Sequence, residues 1–97
     1  MTGEELLAKI IAMLGTHPSL KWFHSYDPRR DKQRGYPDLT IAGPRGVLWA
    51  EVKGAAEELS SSQVDWKWIL LASGQAWRIW RTCDWPDEIE RQIKGIL

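Results

Sequence analysis

Asp38, Glu51 and Lys53 are the residues of this chain whose types and spacing could do chemistry together. Glu51 and Lys53 lie two apart in the apolar run 47–53, so if that run is a strand they point to one face, with Val47 and Trp49. Leu48, Ala50 and Val52 then take the other face. An acid and a base in an otherwise buried strand are costly unless paired, solvated or bound to a metal. Asp38 precedes a second apolar stretch, and an antiparallel hairpin turning at 43–46 sets it across from Glu51. Two carboxylates with the main-chain carbonyl of Val52 are hard oxygen ligands suited to Mg²⁺ or Mn²⁺. Such an ion polarises a phosphoryl oxygen and acidifies a bound water, while an ammonium beside it stabilises charge developing at phosphorus. The chemistry this suits is phosphodiester hydrolysis. The same trio on a solvated sheet face would be no more than a cross-strand ion pair, and spacing alone leaves both readings open.

The elements that must position these residues follow from periodicity and punctuation. Residues 4–14 carry Leu7, Ile10, Ile11 and Leu14 at helical spacing, with Thr2 to cap the start and Gly15 and Pro18 to end it. Residues 20–25 form a short strand, and the polar, basic stretch 27–35 a loop. Strands are expected at 39–42 and 47–53, joined by Gly43-Pro44-Arg45-Gly46 as a tight turn. After a connector at 54–59, Ser60 and Gln63 have capping-box spacing, and Val64, Trp68 and Leu71 mark the buried stripe of a second helix ending at Gly74. Residues 75–81 alternate as a fourth strand, and a helix from about Pro86 buries Ile89, Ile93 and Leu97. The expected fold class is α/β, a mixed four-stranded sheet flanked by helices in the order α-β-β-β-α-β-α, as one domain over residues 1–97.

Composition bounds the function. The 13 basic and 13 acidic residues leave no net charge, which counts against a non-specific coat for nucleic acid. Lys21, Arg29, Arg30, Lys32 and Arg34 nevertheless gather before Gly35, enough to hold a phosphate backbone locally. The lone cysteine, Cys83, excludes an internal disulfide and reads as a semi-buried spectator. No stretch approaches a membrane span and no signal pattern opens the chain, so no membrane partner and a cytoplasmic location are expected. Seven tryptophans are many for 97 residues, and one or two are expected at an interface with another chain.

Three motifs in order then resemble a known family. Gly35-Tyr36-Pro37-Asp38-Leu39, Glu51-Val52-Lys53-Gly54, and Leu59-Ser60 followed by Gln63 look like the successive motifs of the VRR-NUC branch of PD-(D/E)xK nucleases, and the likeness runs from Phe23 to Gly74. Either short motif alone would be weak; the ordered set is specific. The resemblance implies a restriction-endonuclease-like core and a metal-dependent DNA endonuclease. Asp38 and Glu51 would be its metal ligands, Lys53 its catalytic lysine, and Gln63 would reach the site from the second helix unless it serves only to cap Ser60. The family's first-helix glutamate falls on Glu4, which shares a face with Leu7, Ile11 and Leu14, whereas Glu5 is rotated about 100° away. His24 stands where relatives often carry a histidine or polar residue and could touch substrate, although a solvated or satisfied histidine is the reading the residue alone favours. Arg29, Arg30, Lys32 and Arg34 are candidate phosphate contacts, and Tyr36 could pack beside the site or stack on a base. Stand-alone relatives resemble junction resolvases, which implies branched or Holliday-junction-like DNA as substrate and a homodimer. No nucleotide cofactor is implied, and the setting would be a bacterial or phage-infected cell. The alternative is a non-catalytic nucleic-acid-binding subunit of a larger assembly.

Overall fold

The computed structural model describes residues 1–25 and 34–97. Helix α1 (Gly3–Leu14) opens on a capping box, the Thr2 hydroxyl accepting from the Glu5 N–H while the Glu5 carboxylate accepts from the Thr2 N–H at 3.1 Å. Strands β1 (Lys21–His24), β2 (Leu39–Gly43) and β3 (Gly46–Lys53) follow, then α2 (Ser61–Ala72), β4 (Ala76–Arg81), a 3₁₀ turn at Thr82–Asp84 and α3 (Asp87–Lys94). The element order is the one expected, with the 3₁₀ turn added between the last strand and helix.

The sheet runs β1-β2-β3-β4. The first three strands are antiparallel neighbours, and β4 lies parallel to β3, so β3-α2-β4 is a crossover unit. The hairpin closes on Gly43 opposite Gly46 and keeps Leu39 opposite Ala50, which carries Asp38 to the level of Glu51. Pleat alternation then divides the sheet. Leu39, Ile41, Leu48, Ala50, Val52 and Trp80 face α1 and α3 and form the core with Leu6, Ile10, Leu14, Ile89, Ile93 and Ile96. Each such aliphatic side chain contributes roughly 1.5–3 kcal/mol by leaving water. Trp49, Glu51, Lys53 and Trp77 lie on the opposite face, which α2 covers.

Three expectations about packing are corrected. In α1 the fully buried row is Leu6, Ile10 and Leu14, with Leu7 and Ile11 at its flank. In α2 the stripe of Val64, Trp68 and Leu71 is not the buried one: Trp68 is 60% exposed, Leu71 is exposed and Val64 half-buried, whereas Leu70 is buried. The helix is rotated so that Gln63, Lys67 and Leu70, spaced i, i+4 and i+7, turn to the sheet. Gln63 bonds Glu51 and Lys67 sits over the Trp77 ring, and these polar contacts set the rotation where apolar residues on several sides leave it undetermined. Cys83 is exposed, because the 3₁₀ turn carries it off the end of β4.

Among the described residues, no helix is long and apolar enough to cross a membrane.

Candidate active site

Glu51 is 2% exposed, and its two carboxylate oxygens are treated unequally. Oε1 accepts a hydrogen bond from Gln63 Nε2 at 3.1 Å. Oε2 is buried and no donor reaches it among the described residues. The Asp38 carboxylate, itself an acceptor, lies against the Glu51 carboxyl. Two carboxylate oxygens can meet only through a shared proton or a cation. Burial first, and then the Asp38 carboxylate, push the Glu51 carboxyl up to about 9, although the Lys53 ammonium pulls the other way.

Asp38 is held by the main chain on both sides. Its Oδ2 accepts from the Val52 N–H at 2.9 Å, and its carbonyl accepts from the Ser25 N–H at 2.9 Å. The sequence explains why the side chain takes over a ladder position here. A strand residue sends its N–H and C=O to the same edge, so both groups of Val52 leave toward β2 at the level of Pro37. Proline has no N–H to return. The Val52 carbonyl therefore leaves toward Pro37, where β2 offers no main-chain donor. Upstream, Gly35 adopts φ +82°, and a Cβ there would lie 2.2 Å from the Ser62 main chain. Only glycine lets the segment entering Asp38 pass this close to the start of α2.

Gln63 does both things its position allowed. Its Oε1 accepts from the Ser60 N–H at 2.8 Å, completing the capping box with the Ser60 hydroxyl, while its Nε2 reaches Glu51. One amide thus closes the N-terminus of α2 and fixes the buried carboxylate.

Lys53 is buried to within a few per cent, and its Nζ lies 3.3 Å from Glu57 Oε2. The other Glu57 oxygen accepts from the Gly54 N–H at 3.1 Å. That bond first, and Lys53 second, hold the Glu57 carboxyl below its ordinary value. Glu57 lies in the connector 54–59, which no periodicity marks. The signal available was its opposite charge four residues from Lys53.

Thr2, Gly3, Glu4, Leu7, Asp38, Val52 and Glu57 line an open cleft of about 390 Å³ between the start of α1 and the end of β3. Glu4 lines this cleft, whereas Glu5 is engaged in the helix cap. Among the described residues no three His, Cys, Asp or Glu side chains come together as a metal-binding group, so Glu4 stands apart from the Asp38–Glu51 pair. The groups that could hold a hard divalent ion are those two carboxylates and the Val52 carbonyl, with water on the remaining positions, as Mg²⁺ commonly keeps several. The orphaned Glu51 oxygen fits such an ion.

The remaining candidates fall around the rim or beyond. His24 ends β1 opposite Leu39, one residue along from Asp38. Tyr36 packs beside the site, its hydroxyl 2.9 Å from that of Thr40 and its ring edge-on to Trp66 at 5.0 Å. Arg34 is exposed just before Gly35. Arg29, Arg30 and Lys32 lie outside the described residues.

Comparison of the chain with protein-family models, curated proteins and solved structures gave no match.

Proposed function

We propose that the chain is a divalent-metal-dependent DNA endonuclease of the PD-(D/E)xK type, whose site is Asp38, Glu51, Lys53 and Gln63. The observation that carries this reading is the buried Glu51 oxygen with no donor, set against a second carboxylate and two residues from a buried lysine. A purely structural ion pair would give that oxygen a donor, whereas a cation site leaves it open. The restriction-endonuclease-like assignment is supported by the strand pattern, three antiparallel strands and a fourth reached in parallel through a helix.

Asp38, Glu51 and the Val52 carbonyl would hold Mg²⁺ or Mn²⁺. A bound ion of this kind supplies Lewis-acid polarisation of the phosphoryl oxygen and a more acidic water. Gln63 fixes the rotamer of Glu51, so the ligand is in place before substrate arrives. The Lys53 ammonium provides positive charge where the pentavalent phosphorus gathers negative charge. The open cleft beside Asp38 admits a backbone phosphate, with Arg34 as an outer contact. Branched DNA is the substrate this reading favours, and a homodimer would present two such sites to it.

The test is cleavage of labelled four-way junction, duplex and single-stranded DNA with Mg²⁺, Mn²⁺ or EDTA, beside Lys53→Ala. Metal-dependent cutting that the variant loses is the expected result. Junction binding without cutting under any condition would assign the chain to the non-catalytic binding class.

A further inference from the structure

We propose that Glu57 is a positioning residue for Lys53, and that Arg81 holds the turn from which Glu57 acts. The inference rests on the nuclease reading and assigns two residues that reading does not use. A lysine side chain has four rotatable bonds and loses rotamer entropy when fixed, so an ammonium needed at one place requires a partner to hold it there. Glu57 is that partner, with Oε2 at 3.3 Å from the Lys53 Nζ. Its other oxygen is tied to the Gly54 N–H, so the carboxylate is anchored to the main chain one residue beyond Lys53.

The turn itself is clamped. Arg81 Nη1 donates to the Gly54 carbonyl at 2.9 Å and to the Glu57 carbonyl at 2.7 Å, spanning both ends of the 54–57 segment. Arg81 lies beside Lys53 in the β3–β4 register, and its own N–H donates to the Asp84 carboxylate at 2.8 Å. On the third side α1 begins against the turn: a Cβ at Gly3 would lie 3.2 Å from the Gly54 nitrogen and 3.4 Å from Glu57 Oε1. The positive end of α1 thus meets the Glu57 carboxylate. A connector that only joined β3 to α2 would need none of these three constraints.

Glu57→Gln separates positioning from capping, because the amide oxygen still accepts from Gly54 but carries no charge for Lys53. The expected result is a kcat lowered about ten- to a hundredfold, the range that small misplacements of reacting groups produce, with KM unchanged. Glu57→Asp recovers part of the loss, and Arg81→Lys shows the same pattern more weakly. A second readout does not depend on cleavage: acetylation of Lys53, followed by mass spectrometry, should proceed several-fold faster in Glu57→Gln than in the parent. Parental kcat in Glu57→Gln, or parental Lys53 labelling, overturns the inference. A parent that cleaves nothing refutes the nuclease reading, and the labelling ratio still decides whether Glu57 restrains Lys53.

Discussion

Replacing Glu51 by Gln should make the metal-free protein more stable while abolishing cleavage. The Glu51 carboxyl titrates near 9 in the folded chain, against an ordinary 4.5 when unfolded. Because the folded value is the higher one, the folded state binds the proton more tightly, and the unfolded state gives it up first as pH rises. The contribution to stability is fully present below about pH 4.5 and declines from there until the folded group itself ionises near pH 9. Each pH unit within that window costs about 1.4 kcal/mol, so at pH 7 the parent has lost roughly 3 kcal/mol relative to its acid-side value. A neutral amide loses nothing over the same range. It also supplies what the carboxylate lacks, since its NH₂ can face Asp38 as a donor while its oxygen accepts from Gln63. For a domain of this size a difference of roughly 3 kcal/mol at pH 7 raises the melting temperature by about 10–20 °C. The assay is urea unfolding of both proteins in EDTA from pH 5.5 to 8, with the gap between them widening by about 1.4 kcal/mol per unit. A constant gap, or a less stable variant, would show that Glu51 is ionised and satisfied in the folded chain, and the case for an open cation position would fall with it. Adding Mg²⁺ should stabilise the parent and leave Glu51→Gln nearly unmoved, because only the parent binds the ion in its folded form.

Gln63→Ala removes the acceptor for the Ser60 N–H and the donor for Glu51 together, and should cost about 2 kcal/mol by denaturant titration. Gln63→Glu keeps the cap but adds a third carboxylate, so it should be more destabilising at pH 8 than at pH 5; equal losses at both would refute the Glu51 contact. Gly35→Ala sets a Cβ against the Ser62 main chain at positive φ, and should cost at least about 1–3 kcal/mol while also lowering cleavage, because the same segment delivers Asp38. Stability equal to the parent would mean that the segment does not pass so close to α2.

The hairpin was legible because its determinants are local. A Gly-Pro-Arg-Gly turn fixes where the chain reverses, period-two alternation fixes which side chains share a face, and the two together bring Asp38 to the level of Glu51. The rotation of α2 was not legible, because Val64, Trp66, Trp68, Ile69 and Leu71 put apolar residues on several sides of one helix. Hydrophobic spacing has no preferred direction there, and a hydrogen bond to another element makes the choice. The place of Leu6 in the core is hidden for a related reason. With Leu6, Leu7, Ile10, Ile11 and Leu14 all apolar, α1 has a stripe wide enough to hold two plausible centres.

Gln63 and Glu57 show how far residue-by-residue reading reaches into the site. In the sequence, capping and reaching the sheet compete as roles for Gln63, since each was assigned to the whole side chain. The structure divides them between the two ends of the amide, so the same residue that starts α2 also aims Glu51. Glu57 sits in neither a helix nor a strand, and no periodicity tests its direction. What places it is a turn closed by Arg81 from a strand 24 residues away, a contact between side chain and main-chain carbonyl. Such contacts leave almost no pattern in composition or spacing, because any acceptor carbonyl would serve. The residues that could bear charge chemistry were therefore visible as types, while those that hold them still are set by main-chain geometry that only the folded chain contains.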